Sequence, residues 1–187
     1  RTTDNYKMDL NQQKGTLRAY YASVSFVDAL VGKILGALER TGQRDNTIVI
    51  FTSDHGYHLG EHDLWQKVSI HEESARVPLI ICVPGKKTAV CHSLSELIDL
   101  YPTVSQLCGL KIPGNVQGKD ISIMFDDPTV KVRDAALSSG KGRLLRTEKW
   151  ALLDYGKKGE LYDMEKDPKQ YENCLLYTSP SPRDGFT

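Results

Sequence analysis

Residues 47–56 read Thr47-Ile-Val-Ile-Phe-Thr-Ser-Asp-His-Gly56. The first six are continuously apolar and mostly β-branched, which is typical of a strand buried on both faces of a parallel sheet. Ligands of open α/β sheets bind at the carboxyl ends of such strands. The stretch therefore predicts a buried strand that presents Asp54 and His55 at a ligand site. Gly56 would let the backbone turn away without placing a side chain there.

The segment after this strand is dense in groups that carry chemistry. It contains three of the five histidines, together with three acids and Lys67. Asp54 offers a hard anionic oxygen suited to Ca²⁺ or Mg²⁺, and His55 offers a nitrogen ligand or a proton donor. Lys67 is a compact cation that could hold a tetrahedral anion. A metal, a cation and a histidine in one place indicate transfer of a group such as sulfate or phosphate.

Regular elements are predicted on both sides of this segment. Apolar residues spaced by three and four predict a helix over residues 12–40, with Gly42 as its stop. Residues 77–83 predict a second buried strand. Residues 98–108 predict a helix that Asp99 could cap and Gly109 would end.

After Lys111 the pattern of apolar residues changes to short segments. Short segments separated by glycine and lysine predict antiparallel strands with tight turns at residues 135–138, 143–147 and 150–153. The order of elements indicates the second half of an α/β domain followed by a smaller α+β piece.

Composition excludes some classes of function. The chain has 187 residues with 24 basic and 24 acidic side chains, so a strongly basic nucleic-acid surface is not expected. No continuous apolar run approaches the roughly 18 residues of a membrane span. The spacings of the four cysteines match neither a zinc ribbon nor a CxxC redox pair.

Three motifs close together carry a family resemblance. Thr52–Gly56, Leu59–His62 and Trp65-x-Lys67 resemble the sulfatase family, and most nearly its iduronate-2-sulfatase-like branch. Further similar segments extend the resemblance over nearly all of residues 12–173; they are Tyr20–Ser25, Arg76–Ile80, Asp99–Thr103 and Glu160–Pro168. The resemblance implies an alkaline-phosphatase-like α/β fold. Residues 1–112 would be the C-terminal part of the large α/β domain, and 113–173 a small antiparallel-sheet subdomain.

The resemblance also implies roles for particular residues. Asp54 and His55 would bind Ca²⁺ or another divalent cation. Lys67 would contact the sulfate as a catalytic and substrate-binding residue, and His62 would act beside it at the substrate mouth with Glu61. The substrate would be a sulfated sugar or a glycosaminoglycan-like polysaccharide. The protein would be periplasmic or secreted in a bacterium and lysosomal in an animal.

The nucleophile of this family is a formylglycine made from the cysteine of a Cys-x-Pro-Ser-Arg motif, and its hydrate attacks sulfur. No such motif occurs in these residues, and Cys82-Val-Pro-Gly-Lys86 lacks both the serine and the arginine. We therefore expect the motif upstream of Arg1, and we expect this fragment alone to be inactive. Residues 174–187 resemble a translated sequencing adapter, and we interpret them as a foreign tail after Asn173.

Three other interpretations are open. A phosphoester or phosphonate hydrolase of the same superfamily shares the fold, so fold alone does not decide the reaction. A non-catalytic protein that binds sulfated glycans would need no nucleophile. The string His58-x-x-Glu61-His62 also fits a zinc-peptidase pattern, but that chemistry needs both histidines on one helix face, and Gly56 and Gly60 disfavour a helix there.

Overall fold

The computed structural model describes residues 6–67 and 69–178. The chain divides into two compact units: the first is Arg1–Val68 with Val77–Lys87, and the second is Ser69–Arg76 with Thr88–Thr187. The domain boundaries proposed from the sequence, 1–112 and 113–173, stay predictions. Residues 179–187 of the proposed foreign tail lie outside the described residues.

The first unit begins with helix α1, Leu10–Arg40, which confirms the helix predicted from the apolar spacing. Asp9 caps it through a reciprocal pair of hydrogen bonds at 2.9 Å, in which Gln12 N donates to Asp9 Oδ1 and Asp9 N donates to Gln12 Oε1. The helix ends at Thr41, and Gly42 follows with a φ of 65°. That left-handed conformation favours glycine, so Gly42 stops the helix as predicted.

No residue of α1 is buried in this chain, and Phe26 is 66% exposed. The helix is long and apolar enough to cross a membrane by length and composition. This is weak support for a membrane helix, because core helices of water-soluble proteins pass the same test. The sequence predicted no membrane span because it contains no long uninterrupted run of apolar residues. Helix α1 is apolar on average although polar residues interrupt it, so this prediction stays a prediction.

The described residues of the first unit also form four short strands: β1 (Val49–Thr52), β2 (His58–Leu59), β3 (Trp65–Gln66) and β4 (Leu79–Cys82). β2 and β3 pair antiparallel across a 3₁₀ turn at Glu61–Asp63. β1 pairs antiparallel with β4, from Val49 opposite Cys82 to Thr52 opposite Leu79.

The prediction that β1 lies in a parallel sheet, buried on both faces, is wrong for this chain. Within the described residues β1 pairs with β4 in a two-stranded antiparallel ribbon, and Phe51 and Ile80 are 41% and 56% exposed. A continuous apolar run indicates side chains that favour burial on both faces, but it specifies neither the direction of the partner strand nor what covers the ribbon.

The second unit contains the short helix α2 (Glu72–Ala75) and helix α3 (Leu100–Leu107), which a 3₁₀ turn at Leu97–Asp99 precedes. Helix α3 confirms the predicted helix, and Gly109 follows it with a φ of 68°. The prediction that Asp99 caps α3 is wrong, because its side chain makes no capping bond to α3; it accepts from Glu96 N at 2.8 Å in the preceding 3₁₀ turn. Asp99 also accepts a hydrogen bond from Lys119 N at 2.8 Å and pairs with the Arg133 guanidinium, a stronger partner for a buried carboxylate.

A four-stranded antiparallel sheet dominates the second unit. Its strands pair in chain order: β5 (Ala135–Ser139), β6 (Arg143–Thr147), β7 (Trp150–Asp154) and β8 (Gly159–Asp163). The three predicted strands are therefore confirmed. One face of the sheet supplies most of a buried apolar cluster, whose members are Ile70, Leu144, Ala151, Leu153, Tyr162 and Met164. The short helix α4 (Leu175–Thr178) follows β8.

Candidate functional site

Asp54 and His55 lie together immediately after β1. Ser53 Oγ donates to the His55 carbonyl at 2.7 Å, which tightens the backbone turn. The Nδ1 atom of His55 lies 2.7 Å from the Gly56 carbonyl oxygen. A carbonyl can only accept, so Nδ1 carries the hydrogen and the lone pair of a neutral ring is on Nε2. That Nε2 atom lies 3.7 Å from Asp54 Oδ2, so two metal-ligating atoms are side by side.

The pair fits one side of a metal coordination shell. The Asp54 side chain is 84% exposed and that of His55 is 34% exposed, so both donors are accessible. Metal-bound histidines commonly donate their other ring N–H to a backbone carbonyl, as His55 does to Gly56, and this fixes the orientation of the ring. Ca²⁺ takes six to eight oxygen ligands. Over residues 6–67 and 69–178 there is no group of three or more metal-ligating side chains, so these residues supply only part of such a shell.

Glu61 is held within its own turn between β2 and β3. Leu59 N donates to Glu61 Oε2 at 2.6 Å. Gly60 has a φ of 117°, and a Cβ at this position would lie 3.4 Å from the indole ring of Trp65. Trp65 is only 3% exposed. The tight turn therefore depends on glycine, and it fixes the Glu61 carboxylate at the rim of the hairpin.

Three non-glycine residues of the same hairpin have left-handed backbone conformations. His62 and Asp63 both have a φ of 57°, and Gln66 has a φ of 69°. Such conformations cost about 1–3 kcal/mol each and concentrate at functional sites. The His62 ring lies 6.0 Å from the His58 ring at an interplanar angle of 83°.

His58 is completely buried, and the sequence did not single it out except in the zinc-peptidase string. It lies on β2, whereas His62 lies in a 3₁₀ turn. The two histidines therefore do not share a helix face, and the zinc-peptidase interpretation fails.

Lys67 and Tyr57 lie close in sequence to the residues of this site. Lys67 follows β3 with an exposed side chain. The ring of Tyr57 lies 5.2 Å from the ring of Tyr20, which links the loop after Gly56 to α1. The sequence missed Tyr57, because this contact joins residues far apart in the chain. The roles assigned to Lys67, His62 and Glu61 stay predictions.

Two family models match the chain. The model described as Sulfatase matches residues 1–110. The chain belongs to the sulfatase family. A second model, described as N-sulphoglucosamine sulphohydrolase, C-terminal, matches residues 60–183 and so runs past Asn173. The family resemblance is confirmed, whereas the narrower likeness to iduronate-2-sulfatase-like enzymes and the foreign tail stay predictions.

The alkaline-phosphatase-like sulfatase fold is confirmed by solved structures. The chain is similar to one described as BT4656 in complex with its substrate D-glucosamine-2-N,6-O-disulfate, at 32% identity and a TM-score of 0.72, over 83% of this chain and 35% of that one. It is also similar to a phosphonate monoester hydrolase from Silicibacter pomeroyi, at 25% identity and a TM-score of 0.73, over 81% of this chain and 35% of that one.

A curated relative gives the same family. An arylsulfatase of Clostridium perfringens is 32% identical over 92% of this sulfatase chain and 40% of its own length. The chain thus spans well under half the length of the curated relatives it matches.

Proposed function

We propose that this chain is part of a sulfuric ester hydrolase that acts on sulfated sugars or glycosaminoglycan-like polysaccharides. The observation that carries the proposal is the pairing of Asp54 Oδ2 and His55 Nε2 at 3.7 Å, directly after β1. Two findings support sulfated sugars as the substrate class. The chain belongs to the sulfatase family, and one similar structure contains a disulfated glucosamine.

Asp54 and His55 would hold a divalent cation, Ca²⁺ being the best match for a carboxylate donor. When bound, such a cation would supply positive charge against the sulfate oxygens. The Gly56 carbonyl would orient the His55 ring, and Ser53 would hold the backbone of the turn, through the hydrogen bonds described above.

Lys67 would place its ammonium against a sulfate oxygen and stabilise negative charge there. The His62 ring, which lies edge-on to the buried His58 ring, would contact the sugar or the leaving group next to Lys67. Glu61 would border the same substrate opening. The formylglycine expected for this family would come from a segment outside these residues.

The test uses the full-length polypeptide that contains this chain. We expect hydrolysis of sulfated glucosamines, and we expect Asp54→Asn and Lys67→Gln to lower kcat/KM by about 100-fold or more. Binding of sulfated sugars without turnover would instead indicate a glycan-binding protein, and would overturn the proposal.

A phosphonate monoester hydrolase is the second candidate, because the Silicibacter pomeroyi enzyme has the same fold at 25% identity. The same variants should be assayed on a phosphonate monoester and on a sulfate ester of the same alcohol. Faster turnover of the phosphonate would favour this second function.

A further inference from the structure

Two hairpin turns lie at one end of the antiparallel sheet. Because its four strands pair in chain order, the turn between β5 and β6 and the turn between β7 and β8 are at the same end. These turns are residues 140–142 and 155–158, and we refer to them together as the basic end of the sheet. Both turns belong to the second compact unit.

Close contacts hold the two turns of the basic end side by side. A Cβ added at Gly142 would lie 2.8 Å from both the carbonyl oxygen of Asp154 and Cδ1 of Tyr155, so glycine is what allows this approach. Tyr155 N donates to the Lys158 carbonyl at 2.9 Å and closes the second turn, in which Gly156 has a φ of 82°. The basic end is therefore one surface, and its two turns are not independent loops.

Three lysines of the basic end have no acidic partner. They are Lys141, Lys157 and Lys158, and all three are exposed. Over residues 6–67 and 69–178, none of their ammonium groups forms an ion pair or a hydrogen bond. Their charges are therefore available to an external anion.

The acidic residues next to these turns are already engaged. Asp154 pairs with Arg143 at 2.6 Å and accepts a hydrogen bond from Gly156 N at 2.7 Å. Glu160 accepts a hydrogen bond from the Tyr162 hydroxyl at 2.9 Å. Neither carboxylate contacts one of the three lysines, so positive charge is concentrated here although the whole chain has a net charge of zero.

The spacing of the lysines determines which kind of anion they favour. Neighbouring strands lie about 4.8 Å apart, so the midlines of the two hairpins are about 10 Å apart. The Debye length at physiological ionic strength is about 8 Å, so a small anion at one turn gains little from the other. A single exposed ion pair also contributes little by itself. An extended polyanion contacts both turns at once and releases the counterions condensed on it.

We propose that the basic end of the sheet binds the sulfated polysaccharide along its chain, at sulfates other than the one that is hydrolysed. This inference rests on the proposed function, which supplies a polyanionic substrate, and it deepens that function by adding a contact that only a polymer makes. A nucleic acid carries similar charge, but a chain with equal numbers of acidic and basic side chains is not expected to present a nucleic-acid surface.

The test is heparin binding by the full-length polypeptide, measured by calorimetry at several salt concentrations. The triple variant Lys141→Gln, Lys157→Gln, Lys158→Gln should bind heparin about 10-fold or more weakly than wild type. The slope of log affinity against log salt concentration should fall by about 2, because three cations no longer displace counterions. Heparin from which the sulfate groups have been removed should bind wild type and variant equally weakly.

A second triple variant, Lys131→Gln, Lys149→Gln, Lys166→Gln, is the matched control. It removes the same charge from the same unit, but its lysines lie near the opposite end of the sheet, where Lys131 pairs with Glu148 and Lys149 pairs with Glu165. We expect it to change heparin affinity by less than about 2-fold. Equal losses in the two triple variants would overturn the proposal, because net charge alone would then explain the binding.

Turnover of a sulfated glucosamine monosaccharide separates this inference from the proposed function. The variant of the basic end should keep the wild-type kcat/KM on this small substrate, because the three lysines hold the polymer and not the reacting sulfate. A fall in that kcat/KM would overturn the proposal. So would unchanged heparin affinity, and in that case normal turnover would leave the proposed function standing.

Two further outcomes are decisive. If the lysine substitutions weaken heparin binding but wild type hydrolyses no sulfate ester, the basic end is supported and the proposed function fails. If wild type binds double-stranded DNA more tightly than heparin, and the same substitutions abolish that preference, the occupant is a nucleic acid and the proposal is overturned.

Discussion

The carboxylate of Asp99, which has no exposure to solvent, accepts a hydrogen bond from the guanidinium of Arg133. Arg133 also pairs with Glu96 at 2.9 Å, and all three side chains are at most 11% exposed. Asp99 further accepts from the backbone amides of Glu96 and Lys119. One buried carboxylate thus joins three separate segments of the second unit.

Removal of this carboxylate should destabilise the second unit strongly. Asp99→Ala would leave the amides of Glu96 and Lys119 without their acceptor, while Arg133 would keep Glu96 as a partner. An unsatisfied buried donor costs about 1–3 kcal/mol of unfolding free energy, so we expect a loss of roughly 2–5 kcal/mol for the two. Lys131→Ala is the control: its pair with Glu148 has a similar distance of 2.6 Å, but both side chains are more than half exposed. We expect that control to cost no more than about 1 kcal/mol in urea unfolding. Equal costs for the two variants would contradict this interpretation.

Gly60→Ala should destabilise the turn between β2 and β3. A Cβ there would face the Trp65 ring at 3.4 Å with a φ of 117°, so the main penalty is the backbone conformation, about 1–3 kcal/mol. Gly114→Ala is a suitable control, because nothing lies within 4 Å of its added Cβ and its φ is not in the left-handed region. Urea midpoints and the fluorescence of Trp65 would report both changes. An unchanged midpoint for Gly60→Ala would show that the turn accepts a side chain.

The sequence predicted the elements of this chain better than it predicted their partners. The apolar spacing of α1 and the glycine after it sufficed, because both act within a few residues. The partner of β1 depends on strands far along the chain, so the apolar run could not tell an antiparallel ribbon from a parallel sheet. Asp99 was misread for the same reason, since its partners Lys119 and Arg133 are remote in sequence and its local bond is to the turn before α3.

In the candidate site, too, the sequence predicted local features and missed contacts between remote residues. Asp54 and His55 were found because the strand end and the donors are adjacent in sequence. The buried state of His58 and the contact of Tyr57 with Tyr20 were missed, because they arise from packing across the unit. The contacts of Glu72 with Arg146 and Gln170 join residues 74 and 98 positions apart, and nothing local signalled them.

Alkaline pH should weaken the second unit through its tyrosines. Burial, and then the charge of Glu160, raises the pKa of Tyr155 from its usual value of 10.0 to about 12. The pKa of Tyr162 is raised by the same two causes and by its hydrogen bond to Glu160. The folded state therefore keeps protons that the unfolded state has released, so stability is complete below pH 10 and falls as pH rises from there towards 12.

Urea midpoints measured across this range test the effect. Tyr155→Phe should make the decline above pH 10 shallower, whereas Tyr101→Phe, at a side chain 58% exposed, should leave its slope as it is. A spectroscopic titration of tyrosinate should show Tyr155 as a late component that disappears in Tyr155→Phe. If the titration of Tyr155→Phe matches that of the wild type above pH 10, the burial argument is wrong.

Asp54 and His55 should be required for divalent-cation binding by the full-length polypeptide. Asp54→Asn removes an anionic donor and keeps the shape of the side chain, so Ca²⁺ affinity should fall by at least about 10-fold. His55→Ala should have an effect in the same direction, because it removes the nitrogen that faces Asp54. Isothermal titration calorimetry measures affinity directly, and the rise in melting temperature with added Ca²⁺ gives an independent readout. Asp45→Asn is the matched control, since Asp45 is an exposed acid just before β1. Ca²⁺ affinities that are equal in wild type and in Asp54→Asn would remove Asp54 from the proposed metal site, because a ligating carboxylate cannot be replaced by a neutral amide without loss of affinity.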